Sequence, residues 1–94
     1  MAPTFEWDEE KARSNKAKHG VTFPEAASAF ADPLAAIFSD PDHSADEIRE
    51  ILIGESERGR LLIVSFTERG EAIRIISARG ATPTERKRHE ERPA

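Results

Sequence analysis

The sequence predicts an α+β fold in which an antiparallel sheet of about four strands packs with two N-terminal helices and one C-terminal helix. Three observations lead to this prediction. The N-terminal third holds two helix-start signals, the middle holds β-branched runs separated by turn-forming residues, and another helix-start signal follows near the C-terminus. The 94 residues, 37% of them hydrophobic, suffice for one core, so we expect a single domain spanning residues 1–94.

A short strand and a helix are predicted first. Residues 4–7 alternate between polar and apolar side chains, which is typical of a strand. Asp8 then offers a side-chain oxygen that can cap a helix, and its neighbours Glu9 and Glu10 suit the positive end of that helix. We expect the helix to end at His19, because Gly20 suits the left-handed position that closes such a helix.

A second helix is predicted after Gly20. Thr22 and Glu25 have the spacing of a capping box, in which each side chain accepts from a backbone N–H group. Asp32-Pro33 should end this helix. Its predicted apolar face comprises Phe23, Ala26, Ala27 and Phe30.

The rest of the chain predicts a strand meander and a last helix. The expected strands are residues 34–38, 50–54, 61–66 and 72–79, with an exposed loop at 39–44 and a turn at 68–71. Thr82 and Glu85 then form a further capping box, with Pro83 at the first helical position. This last helix should run to about residue 91.

The composition and the apolar segments of the chain indicate its cellular compartment. The chain has no Cys, which fits a reducing compartment. Its longest apolar run, residues 61–64, is far too short to span a bilayer, and residues 1–8 lack the basic and apolar regions of a signal sequence. We therefore expect a cytoplasmic protein without a membrane partner.

The net charge of −4 hides a segregation of charge along the chain. Residues 11–19 hold four cations and no acid, whereas residues 32–57 hold eight acids against Arg49 alone. Such a chain can present a basic face to RNA and an acidic face to a basic partner. A charged content of 34% also suits an ordinary soluble surface, which charge alone favours.

The first predicted helix has little apolar surface to bury, since only Ala12 and Ala17 are available. Lys16 and His19 share one face by their spacing of three. A second face carries Lys11, Asn15 and Lys18. Most of this helix should therefore contact water or a polyanion, and spacing alone favours water.

Arginines flank the strand predicted at residues 72–79. Alternation puts Ser77 and Arg79 on one face and Arg74 on the other, unless a β-bulge intervenes. The planar guanidinium suits phosphate because it donates two parallel hydrogen bonds and stays protonated. Ion pairs with acids such as Glu50 or Glu68 explain the two arginines equally well.

Three other polar residues also have two interpretations. Arg49 fits an internal salt bridge as well as a functional contact, and its neighbours Asp46, Glu47 and Glu50 favour the salt bridge. His43 lies in an Asp-rich loop without the neighbours that a metal site needs, so we expect it in an exposed loop. His89 fits either a proton donor or a charged helix face. No pattern indicates a metal or a cofactor.

Several short blocks of this sequence, taken in their order along the chain, match the pattern of a known protein family. They are residues 5–11 (FEWDEEK), Asn15, residues 16–21 (KAKHGV), Phe23, Glu25-Ala26, Phe30, Asp32-Pro33, residues 74–79 (RIISAR) and Glu85-Arg86. Taken together, they resemble the BrnT toxin family of type II toxin-antitoxin systems. The resemblance covers nearly the whole chain.

This resemblance implies a RelE-like ribonuclease fold and inhibition of translation by RNA cleavage. It also implies a cognate BrnA antitoxin of the ribbon-helix-helix DNA-binding type. Toxin and antitoxin of the family form a heterotetramer that represses its own promoter, so DNA would be contacted only through the antitoxin. The acidic stretch at residues 40–57 is available for a basic surface of that partner.

The resemblance also implies a set of site residues. Polar positions of the family pattern correspond to Lys16, His19, Arg49, Arg74, Ser77 and Arg79. The family often has an aromatic residue after its central Arg, where this chain has Glu50, and a Tyr late in the last helix, where it has His89.

Metal-free RNA cleavage uses the ribose 2′-hydroxyl as nucleophile, so it needs proton transfer and stabilisation of charge on phosphorus. We expect Arg79, with Arg74 or Arg49, to stabilise the phosphate and His19 or His89 to transfer protons. RNA binding is expected from Lys16, Lys18, Ser77 and Arg86. The alternative function is a non-catalytic module that binds RNA or a protein.

Overall fold

A computed structural model describes residues 3–40 and 47–92. Most of the predicted loop at 39–44, including His43, lies outside these residues. The elements in chain order are β1 (Thr4–Glu6), α1 (Glu9–His19), α2 (Phe23–Ser28) followed by a 3-10 turn (Ala29–Ala31), β2 (Ala36–Ser39), β3 (Glu50–Glu55), β4 (Leu61–Arg69), β5 (Ala72–Gly80) and α3 (Pro83–Glu90).

The described strands form one sheet in the order β1-β5-β4-β3-β2. Strands β2 to β5 are an antiparallel meander, whereas β1 pairs with β5 in parallel, from Thr4 opposite Ala72 to Glu6 opposite Arg74. The α+β prediction is confirmed. The sheet differs from it in having five strands and one parallel pair, because β1 joins an edge that local sequence signals cannot identify.

The helix-start signals work as predicted in two of three cases. Asp8 accepts from the Glu10 N–H group at 2.9 Å, and α1 closes at Gly20 with a φ of 69°. The capping box of Thr82 and Glu85 is complete. At α2, Thr22 accepts from the backbone of Glu25, but the Glu25 side chain makes other contacts, so the reciprocal half of the predicted box is wrong.

The core lies between α1, α2 and one face of the sheet. Phe30 links this layer to the sheet through edge contacts with Phe5 and Phe66, at ring separations of 5.1 and 5.0 Å. The buried cluster comprises Val21, Phe23, Ala26, Ala29, Leu52, Leu62, Val64, Phe66, Ile75 and Ala78. None of the helices in the described part of the chain has the length and apolar character needed to cross a membrane.

Candidate active site

The opposite face of the sheet carries a shallow depression of about 400 Å³. Its floor comes from three neighbouring strands, because Ile51, Ser65 and Ser77 lie opposite one another in the register of β3, β4 and β5. Polar side chains surround it. They are His19 at the end of α1, Asp40 and Arg49 on the β2–β3 side, and Arg79 near the end of β5.

A β-bulge sets which β5 residues face this side. Ser77 pairs with Ser65, but Ile75 pairs with the next residue, Phe66, so Ile76 is an extra residue in β5. Paired residues point to the same face of a sheet, and faces alternate along each strand. Since Ile75 and Phe66 are in the core, Arg74 points away from it. The bulge allowed for in the sequence analysis is therefore present, and it brings Arg74 to the same face as Ser77 and Arg79.

Helix α1 is fixed beside β5 by the buried side chain of Asn15. Its Nδ2 donates to the carbonyls of Val21 and Ala78 at 2.9 and 2.8 Å, and its Oδ1 accepts from the Ala78 N–H group at 3.0 Å. Asn15 therefore forms hydrogen bonds with the backbone of β5 at Ala78, beyond the part of β5 that pairs with β1. These bonds hold His19, one turn further along α1, near Ser77.

The basic face of α1 adjoins the depression. A smaller hollow of about 180 Å³ is lined by Lys11, Lys18, His19 and Ser77, so His19 and Ser77 belong to both. Ala17, predicted to be buried, is exposed, because Asn15 and Ala12 dock the helix instead. Lys16 is exposed and lines neither hollow.

A buried carboxylate steadies the C-terminal end of α1. Glu25 is 2% exposed and accepts from Ser56 Oγ at 2.7 Å and from Arg60 Nε at 2.9 Å, with a further bond from Arg60 Nη2. The same Nη2 donates to the carbonyl of Gly20 at 3.1 Å. Hydrogen bonding by Arg60 lowers the pKa of Glu25 despite its burial. This network ties α1 and α2 to the β3–β4 hairpin.

Arg79, at the rim of the depression, forms a two-pronged ion pair with Glu85. Its Nη1 and Nη2 atoms donate to Oε1 and Oε2 of Glu85, both at 2.8 Å. The bonds from Arg79, followed by the Thr82 N–H group, lower the pKa of Glu85 to about 2. An ion pair was expected from sequence as one alternative, but the expected partners, Glu50 and Glu68, are wrong.

Arg49 reaches the depression from the start of β3. Its Nε lies 3.5 Å from Glu47 Oε1, so the predicted salt bridge with its acidic neighbours is present. Its carbonyl accepts from the Asp40 N–H group at 3.0 Å, which joins the ends of β2 and β3. Arg49 thus has both a structural contact and a place beside Ser65 and Arg79.

Four of the nine predicted site residues, His19, Arg49, Ser77 and Arg79, line the depression. Arg86 and His89 lie instead in a separate groove of about 720 Å³ between α3 and residues 32–35. Arg86 pairs there with Glu90 at 3.5 Å. Arg74 is half-buried and lines none of these hollows.

Asp32 is one of the acidic residues that line the separate groove opposite α3. Its carboxylate accepts from the N–H groups of Glu55 and Leu34 at 2.8 and 2.9 Å, and these bonds lower its pKa. The Nδ1 atom of His89 is buried there without a hydrogen-bond partner among the described residues. Within those residues no group of three His, Asp or Glu side chains converges as a metal site would require.

Comparison with known proteins identifies the family. The family model described as "Ribonuclease toxin, BrnT, of type II toxin-antitoxin system" matches residues 7–85. The chain belongs to the BrnT family. It is also similar to the crystal structure of the Brucella abortus ribonuclease toxin BrnT, with 31% identity and a TM-score of 0.67 over 85% of this chain and 97% of that one. A search of curated proteins finds no significant match.

Two residues of this BrnT-family chain have a part in the site that sequence reasoning missed. The spacing of Asn15 places it only on a polar helix face, although an Asn among charged helix residues is a poor helix former and signals a specific contact. The sequence pattern gives Glu85 only a capping role. Its position six residues after Arg79, at the start of the next helix, is the signal that was available.

Proposed function

We propose that this chain is a metal-independent endoribonuclease toxin that inhibits translation by cleaving RNA. Membership of the BrnT family supports the ribonuclease class. The observation that carries the proposal is the convergence of His19, Ser77 and Arg79 on one depression beside a basic helix. These groups match the needs of RNA cleavage, which are proton transfer, hydrogen bonding and stabilisation of negative charge.

In the proposed reaction the ribose 2′-hydroxyl attacks the adjacent phosphorus. The 2′-oxygen loses its proton to a base, a new oxygen–phosphorus bond closes a 2′,3′-cyclic phosphate, and the bond to the 5′-oxygen breaks as that oxygen gains a proton. Arg79 stabilises the phosphorane charge with help from Arg49, and His19 takes up and returns protons as the general acid–base group. Ser77 donates a hydrogen bond to a phosphate oxygen.

Lys11 and Lys18 suit the RNA backbone on the α1 side of this site. They line the smaller hollow that shares His19 and Ser77 with the depression. Ammonium groups there attract phosphates without reading sequence. Lys16 follows on the exposed surface of the same helix, whereas Arg74, Arg86 and His89 are weaker candidates because they lie outside both hollows.

Membership of a type II toxin-antitoxin family implies an antitoxin partner. The partner we propose is a BrnA-like ribbon-helix-helix protein that forms a heterotetramer with this chain and contacts DNA for the complex. We propose the cytoplasm as the site of action, since translation, which the proposed cleavage would inhibit, takes place there. Co-expression with a tagged antitoxin, followed by measurement of the mass of the complex, tests both identity and stoichiometry.

Incubation of the purified, antitoxin-free protein with structured RNA tests the enzymatic proposal. We expect discrete cleavage products ending in cyclic phosphate, and the same rate with EDTA, since no step of the proposed mechanism uses a metal. Abolition of cleavage by EDTA would contradict metal independence.

A non-catalytic RNA-binding module is the second candidate, favoured by the exposed lysines of α1. It predicts RNA that is retarded but intact. Growth of cells that express the chain alone is then compared with growth of cells that also express the antitoxin. Arrest in the first culture only shows that the chain is toxic.

A further inference from the structure

The guanidinium of Arg79 uses only part of its donor set within the protein. Nη1 donates to Glu85 Oε1 at 2.8 Å and to the carbonyl of Gly80 at 3.2 Å, and Nη2 donates to Glu85 Oε2 at 2.8 Å. A guanidinium carries five N–H groups in one plane. Within residues 3–40 and 47–92, the Nε–H group and the second Nη2 hydrogen have no acceptor.

These two unused N–H groups lie side by side. Nε and Nη2 donate from the same edge of a guanidinium, and their spacing matches two oxygens of a phosphate. Glu85 therefore occupies the end of the Arg79 side chain and leaves its side edge for a second anion. Arg79 is 41% exposed and lines the depression with His19 and Ser77, so a ligand bound there can approach its guanidinium.

Glu85 is itself held in place at the start of α3. Its Oε1 accepts from the Thr82 N–H group at 2.9 Å, while Thr82 Oγ1 accepts from the Glu85 N–H group at 3.1 Å. The backbone bond to Oε1 thus orients the carboxylate that Arg79 contacts. Rotation of the guanidinium would break two charge-assisted hydrogen bonds at once, so the ion pair restricts Arg79 to one orientation.

We propose that Glu85 is a positioning residue that fixes Arg79 so that its Nε–Nη2 edge is presented to a phosphate group of RNA bound in the depression. This inference rests on the proposed function and adds to it. An unrestrained arginine side chain loses rotamer freedom when it binds a ligand, and orienting it beforehand removes that loss. Donors fixed in advance also stabilise a developing charge without reorganisation at the moment of reaction.

The substitution Glu85→Gln tests this role with little disturbance of the helix. Glutamine keeps the length and one acceptor oxygen of the side chain, and it is a common residue at this position of a capping box. It removes the charge and one of the two acceptors facing Arg79. The matched control is Glu90→Gln on the same helix, since Glu90 is 61% exposed and pairs with Arg86 outside the depression.

Steady-state cleavage of one RNA by wild type and both variants is the main measurement. We expect Glu85→Gln to lower kcat about 10- to 100-fold with a much smaller change in KM, because a misplaced group mainly affects the transition state. Glu90→Gln should match the wild type. Cleavage by Glu85→Gln that equals or exceeds the wild-type rate would overturn the proposal, and a faster rate would show that Glu85 blocks Arg79. An equal loss in Glu90→Gln would also overturn it.

A double-mutant cycle separates positioning from a merely structural role. Lysine has no guanidinium plane to orient, so Glu85→Gln should have little further effect on kcat in an Arg79→Lys background. A full additional loss in that background would overturn the proposal. Thermal unfolding of each variant establishes that the loss concerns folded protein.

Nuclear magnetic resonance keeps the two proposals distinguishable. If the wild type leaves RNA intact, the proposed function fails, and the Arg79 Nε–H signal is then titrated with inorganic phosphate. We expect a larger shift at each phosphate concentration in the wild type than in Glu85→Gln. Equal shifts in the two proteins would overturn the positioning role.

Discussion

Two of the Arg–Glu pairs in this chain, Arg60–Glu25 and Arg79–Glu85, are chemically alike but use different edges of the guanidinium. Arg60 gives its Nε and Nη2 edge to Glu25, which is 2% exposed on the helix-covered side of the sheet. Arg79 gives its Nη1 and Nη2 end to Glu85, which is 32% exposed at the rim of the open side. The edge of the guanidinium that suits a phosphate is therefore occupied in Arg60 and free for a ligand in Arg79.

The surroundings of the two pairs explain the difference. Glu25 also accepts from Ser56, and Arg60 also donates to the carbonyl of Gly20, so that pair joins three segments of backbone. Arg79 and Glu85 are six residues apart, and their pair links β5 only to the start of α3. We expect changes at the first pair to alter stability and changes at the second to alter activity.

The largest expected effect comes from Arg79→Ala. Loss of a donor that stabilises transition-state charge typically lowers kcat about 100- to 1000-fold, while removal of an exposed ion pair has little effect on stability. Arg60→Ala is the matched control, and it should lower the melting temperature while the folded fraction cleaves RNA normally. Measured rates that fall equally in both variants would erase the distinction between the two pairs.

Asn15→Leu should cause a larger loss of stability than Glu25→Gln. It leaves the N–H and carbonyl groups of Ala78 without their hydrogen bonds, which costs about 2–4 kcal/mol in the free energy of unfolding. Urea denaturation measures this loss. Ser14→Ala, at the exposed neighbouring position, should leave the midpoint unchanged. An Asn15→Leu protein as stable as the wild type would mean that these bonds do not dock α1.

A smaller loss of stability is expected for Glu25→Gln. Glutamine retains one acceptor but weakens the charge-assisted bonds from Arg60, so about 1–2 kcal/mol should be lost. For a chain of this size that corresponds to a fall in melting temperature of roughly 5–15 °C. Calorimetry checks the value, and a melting temperature above that of the wild type would show that burial of this carboxylate outweighs its bonds.

The smallest expected effect is the acid dependence of the pair between Arg79 and Glu85. The pKa of Glu85 is about 2 in the folded chain and has an ordinary value of 4.5, so its stabilisation is complete above pH 4.5 and disappears as pH falls through 2. Solvent screens this half-exposed pair, so the pair contributes no more than about 1 kcal/mol to the free energy of unfolding. Urea midpoints of wild type and Glu85→Gln should therefore converge in acid. A difference between the two urea midpoints that is equally large at pH 7 and pH 2 would contradict the lowered pKa of Glu85.

Short-range signals predicted the helices of this fold well. The caps at Asp8, Gly20 and Thr82 depend on residues within one turn, and the structure has all three. The parallel pairing of β1 with β5 joins Thr4 to Ala72, and no local pattern encodes such a distant partner. The capping bond predicted for the Glu25 side chain is absent for the same reason, because that side chain binds Arg60, which lies 35 residues away.

The candidate site was predictable by residue type more than by arrangement. Arg79, Ser77 and His19 were recognised from sequence, and the depression brings them together. His89 and Arg86 were recognised by the same reasoning, yet α3 carries them to another groove. The path of a helix after a strand depends on its contacts with the rest of the fold, which local sequence patterns do not reveal.

The extra residue in β5 has a consequence for the interpretation of related sequences. Polar residues on one face of a regular strand recur every second position, whereas Arg74, Ser77 and Arg79 are spaced by three and then by two. The odd interval marks where the strand changes phase. In other members of this family, a polar triplet with that uneven spacing indicates the same insertion point in the strand, and deletion of one residue there would turn the polar residues on one side of that point toward the core.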